Sequence, residues 1–105
     1  MAIFEIPVFP GAAQKMALTL GENYYILFLY YVDEEEGGWT LDISLAEDVA
    51  LIAGLPLLPG QDLLEPHADL GIPCRMAIFT PGEPDYKPGF NDLGAKTLLV
   101  YEPVE

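Results

Sequence analysis

Residues 20–44, LGENYYILFLYYVDEEEGGWTLDIS, decide how this chain is read. An aromatic and aliphatic run, 24–32, abuts four acids at 33–36 and the pair Gly37 and Gly38. The run is about half the roughly twenty residues that a helix needs to cross a bilayer, so membrane insertion is not expected. Its aromatic and β-branched content suits a strand. Tyr25, Leu27, Leu29 and Tyr31 then point one way, and Tyr24, Ile26, Phe28, Tyr30 and Val32 the other, so both faces need cover. Such a strand is either central to a sandwich or barrel, or has one face in a subunit interface.

The segments on either side supply its partners. GWTLDIS, 38–44, alternates most cleanly, with Trp39, Leu41 and Ile43 on one face and Thr40, Asp42 and Ser44 on the other. QKMALTL, 14–20, puts Met16, Leu18 and Leu20 on one face and Lys15, Ala17 and Thr19 on the other. Two antiparallel hairpins are therefore predicted, 16–32 through the turn GEN and 24–44 through the loop DEEEGG, whose glycines supply positive φ. The four acids lack the alternating spacing of a calcium loop and read as a solvated turn.

Further out, AIFEIPVF is a strand that Pro7 pushes to a sheet edge. SLAEDVALIAG, 44–54, fits a short helix capped by Ser44 with Glu47, but strands are preferred because Gly54 and Pro56 follow so closely. That reading splits VALIAGLPLL, 49–58, into two short strands at a Gly-Pro break. PGQD, 59–62, is a turn, LLEPH leads into a polar connection, and CRMAIFT and TLLVYEP are strands. Between them, 81–96 is a long loop set by Pro81, Pro84 and Pro88, either an arm that grips a neighbour or a flexible excursion. The predicted fold class is all-β, a small antiparallel β-sandwich or β-barrel, with residues 1–105 as a single domain.

Composition bounds the function. The chain has 105 residues, a 51% hydrophobic content and seventeen Asp and Glu against four Lys and Arg, for a formal charge of -13. It is globular rather than disordered, and its charge repels phosphate backbones and anionic lipid, so direct nucleic-acid binding is not expected. Residues 1–11 have no basic n-region and are interrupted by Pro7 and Pro10, so no secretory signal is expected, and the protein is expected to stay in the cytoplasm where it is made or to enter an assembly there. The single Cys74 and single His67 exclude a disulfide and a two-histidine or cysteine metal site, and Cys74 reads as a buried apolar residue. The only serine, Ser44, is outside any nucleophile elbow, and no phosphate-binding glycine loop is present. Catalysis, cofactors and metals are therefore not expected. The aromatic cluster Tyr24, Tyr25, Tyr30, Tyr31 and Trp39 has two open readings, a core with one hydrogen-bonded face or a subunit interface.

Three segments carry a family likeness. MALTLGENYYILFLYYVDEEEGGWTLDIS, then GLPLLPGQDLL, then DLGAKTLLVYEP resembles the small baseplate plug proteins of contractile-tailed bacteriophages. The features are the turn into a Tyr-rich strand, W-x-L-D-I, Gly-x-Pro-Leu followed by Gly-x-Asp-Leu-Leu, and a late Leu-Gly. The resemblance implies an all-β structural subunit in the virion tail baseplate, a homo-oligomer beside hub, spike or tube proteins, with no chemistry of its own. It implies framework roles for Tyr24, Tyr31, Trp39, Leu41, Asp42, Leu55, Pro56, Leu63 and Leu93. The alternative is an acidic nucleic-acid mimic that occupies a DNA-binding protein of the host, for which the -13 charge is the motive. A carbohydrate-binding module that stacks sugars on Trp39 or exposed tyrosines is a third class.

Overall fold

Alternation along the chain becomes two antiparallel sheets that share one core. The computed structural model describes residues 2–20, 22–35, 37–46 and 49–103. Its strands are β1 (Phe4–Ile6), β2 (Gln14–Leu20), β3 (Asn23–Val32), β4 (Gly38–Ala46), β5 (Val49–Pro56), β6 (Cys74–Phe79) and β7 (Leu98–Pro103). The larger sheet is a meander in the order β2-β3-β4-β5, and the smaller has the order β1-β7-β6. The result is an open sandwich, the first of the two all-β forms expected, and not a closed barrel.

Register explains which face of β3 turns inward. Tyr31, Leu29 and Leu27 lie opposite Trp39, Leu41 and Ile43, and Leu27 and Tyr25 lie opposite Met16 and Leu18. The inner face of β3 thus joins the apolar faces of both neighbours, and paired residues across a sheet share a side. Leu27, Leu29, Leu41 and Ile43 are each at most 1% exposed. Ile6, Met76, Ile78 and Leu99 of the smaller sheet, with Leu57, Leu63 and Leu93 from connections, complete the core. Burying each such side chain contributes about 1.5–3 kcal/mol.

The outer face of β3 fares differently. Tyr24 is 57% and Phe28 39% exposed, and Ile26, Tyr30 and Val32 are half-buried. The expectation that both faces are covered is met within the chain on one face only, because the smaller sheet packs on a single side of the larger.

Several local expectations need correction. Leu20 pairs with Asn23, so Asn23 belongs to β3 rather than to the turn. Of the two glycines in DEEEGG only Gly38 has positive φ, at 126°. Gly37 serves a close approach instead, since a Cβ there would sit 2.1 Å from the Val32 carbonyl oxygen. Asp33, Glu34 and Glu35 are exposed, as a solvated turn requires, while Glu36 lies outside the described residues. The preference for strands over a helix after Ser44 holds, with Glu47 and Asp48 outside the described residues. There is, however, no break into two short strands. β5 runs through Gly54 to Pro56, absorbing the irregularity as register shifts against β4 between Leu41 and Ala46, and Leu57 follows by donating its N–H to the Trp39 carbonyl. The connection after Leu64 contains a 3-10 helix, Glu65–Leu70, which the sequence reading passed over. Among the described residues no helix is long and apolar enough to cross a membrane.

Candidate assembly surfaces

Three polar anchors fix the frame on which any binding surface is built. Asp42 sits on the outer face of β4, and its Oδ1 accepts the Gly54 N–H at 2.7 Å and the Tyr30 hydroxyl at 3.1 Å. It thereby pins the irregular β4–β5 pairing and orients Tyr30. Burial, then the Asp42 carboxylate, holds the Tyr30 phenol above its ordinary value. Asp62 is the second anchor. Its Oδ1 accepts the N–H groups of Leu64 and Met76, each at 3.1 Å, while Leu63 donates to the Met76 carbonyl at 2.7 Å. This ties the Gly-x-Asp-Leu-Leu segment to the edge of β6 and drives Leu63 and Leu64 into the core.

The third anchor holds the long loop. Trp39 donates its Nε1–H to the Gly89 carbonyl at 2.9 Å, and its ring stacks on Phe90 with centroids 6.3 Å apart. Tyr31 meets both rings edge-on, at 5.8 and 5.4 Å. Within the loop, Asp92 accepts from the Tyr86 hydroxyl and from the Gly89 N–H, and these two bonds, the Tyr86 bond first, hold its carboxyl below the usual range. Leu93 is fully buried, and Thr80 and Thr97 share a buried hydroxyl hydrogen bond. At Gly94 a Cβ would lie 2.3 Å from the Val8 carbonyl oxygen, so the loop also presses on the N-terminal segment. Within 81–96, the part from Pro88 to Leu93 packs back on the larger sheet, whereas 81–85 and Lys87 are exposed.

With the frame fixed, the outer faces of the two sheets hold part of the exposed apolar surface, while Phe9, Leu58 and Phe90 are exposed in the connections. The outer face of the larger sheet presents Tyr24, Ile26, Phe28 and Tyr30, with Phe28 and Tyr30 stacked at 5.2 Å. Its acid, Asp42, is occupied as described, and its base, Lys15, has no carboxylate within salt-bridge distance among the described residues. The outer face of the smaller sheet holds a shallow groove of about 440 Å³ lined by Ile3, Ala77 and Val100 and bordered by the Arg75–Glu102 ion pair. Cys74 is buried, and burial with the nearby Asp62 charge pushes its thiol up to about 11, so it stays uncharged and unreactive at neutral pH. Among the described residues no three His, Cys, Asp or Glu side chains are placed to hold a metal.

The residues singled out in the sequence divide between core and surface. Tyr25, Trp39, Leu41, Leu55, Leu63 and Leu93 are buried. Tyr31 is half-buried beside Trp39, Tyr30 and Asp42 are joined on the outer face, and Tyr24 and Pro56 are exposed. Sequence reasoning missed Phe90 and Asp92, and it placed Phe28 and Asp62 without giving either a role. Phe90, a large aromatic in an otherwise polar loop, was the legible signal among them.

No curated protein matches the sequence. A family model described as cyanophage baseplate Pam3 plug gp18 matches residues 3–104, and the chain belongs to that family of phage baseplate plug proteins.

Proposed function

We propose that the protein acts as a structural subunit of the phage tail baseplate, by protein–protein contact and without catalysis, and that hub, spike or tube proteins are its neighbours. One shared core under both sheets supports treating the chain as a single working domain. It is made in the host cytoplasm and then incorporated into the virion. The observation that carries this reading is the outer face of β3, where Tyr24 and Phe28 stand exposed and little charge is present on a chain of net charge -13. Interface centres are poor in charge and rich in aromatic residues, and the face has that composition. The acidic remainder of the surface keeps the free protein soluble until assembly.

The test is a Tyr24→Ser, Phe28→Ser double variant, tagged and expressed in cells producing the phage. Folding is checked by far-UV circular dichroism, and co-purifying tail proteins are identified by mass spectrometry. Loss of tail proteins with the fold intact is expected. Undiminished recovery would remove this face from the account, and recovery of host DNA-binding proteins in place of tail proteins would favour the acidic mimic.

A further inference from the structure

The two sheets have four outer edges, and three of them are blunted. β1 has 3 residues and runs into Pro7. β5 is irregular in register and ends at Pro56. The free side of β6 is occupied at Met76 by Asp62 and Leu63. β2 is the exception. It has 7 residues, no proline, glycine or register shift, and among the described residues its backbone hydrogen-bonds to β3 alone. Folded proteins normally guard such an edge, because its unpaired N–H and C=O groups template another strand.

We propose that this edge pairs with β2 of a second copy, antiparallel about a two-fold axis through Ala17. The strand is self-complementary in that register. Met16 faces the second copy's Leu18, Lys15 faces its Thr19, and all seven residues overlap, joining two larger sheets into one. Charge favours this edge over the rest of the surface. Between residues 6 and 32 the only acid is Glu22, although the chain carries seventeen. The one charge on β2, Lys15, stands near its end, and four residues at about 3.3 Å each keep the two lysines about 13 Å apart, beyond the Debye length. The contact is small. About 23 Å of strand by about 10 Å of depth gives on the order of 230 Å² per copy, against about 800 Å² in a stable complex. The pairing is thus weak between free monomers and accumulates where an assembly concentrates copies.

Cysteine cross-linking of the full-length protein at high concentration, where even a weak pairing is populated, tests this. Opposed Cα atoms in such a pair are about 4.5–5.5 Å apart, within the range a disulfide spans. Ala17→Cys is expected to form a covalent dimer at least about tenfold faster under mild oxidation than Thr19→Cys, whose two copies are held as far apart as the lysines. The native Cys74 is buried and does not compete. A Lys15→Cys, Thr19→Cys double variant, expected to cross-link faster than either single change, keeps the test valid should Ala17→Cys fold poorly. Equal rates for Ala17→Cys and Thr19→Cys, or no gain in the double variant, would overturn the pairing. That result would leave the tail-protein recovery experiment unaffected, since it probes a face and not an edge.

Discussion

The two faces of β3 are built from the same kinds of residue and meet opposite fates. Inside, Tyr25, Leu27 and Leu29 are at most 3% exposed, whereas outside Tyr24 and Phe28 are 57% and 39% exposed. Hydrophobicity of the strand alone does not choose between them. The choice is made by β4, whose polar side, Thr40, Asp42 and Ser44, shares a face with Tyr30, Phe28 and Ile26. A two-sided strand takes its orientation from its most one-sided neighbour, and its second apolar face is left without cover from its own chain.

The largest expected effect lies on the inner face. Leu41→Ala removes a fully buried side chain and is expected to cost about 2–5 kcal/mol in denaturant unfolding. Phe28→Ala, on the outer face of the adjacent strand, is expected to cost far less, about 1 kcal/mol. Equal losses would break the contrast between the faces.

An intermediate effect is expected at the polar anchor of the outer face. Asp42→Ala strips a charged acceptor from the Gly54 N–H and the Tyr30 hydroxyl, and a loss of about 1–3 kcal/mol is expected. The same change should bring the Tyr30 phenol back toward its ordinary value of 10.0, observable by ultraviolet titration. Since the folded protein raises that value, Tyr30 supports stability below pH 10 and loses its contribution as the pH rises through the folded value.

The smallest effect is expected in the loop. Asp92 is held below 3.8, chiefly by the Tyr86 hydroxyl, so its contribution is present above that pH and lost as the pH falls through the lower folded value. Asp92→Asn should flatten the acid limb of the stability profile relative to the parent, and an unchanged limb would show that the Tyr86 and Gly89 contacts carry no weight there.

Legibility followed the same division. The hairpins around β3 were readable because β2 and β4 alternate with period two and glycine marks their turns. β5 was harder, because Gly54 and Pro56 signal a break where the structure has only a change of register, stabilised by Asp42 from the neighbouring strand. The packing of 81–96 was hardly readable, with Phe90 and Leu93 as its only marks. It depends on Trp39 reaching Gly89 and Phe90, contacts about fifty residues away that no local pattern encodes. Asp42 was picked out through family likeness, and only the structure shows why an acid stands in W-x-L-D-I.

The most direct test of the central claim is hydroxyl-radical footprinting of the free protein and of the protein within assembled baseplates. Protection of Tyr24 and Phe28 on assembly, with Tyr25 shielded in both states, is the predicted result. Equal labelling of Tyr24 and Phe28 before and after assembly would contradict the claim that the second face of β3 is covered by another baseplate protein.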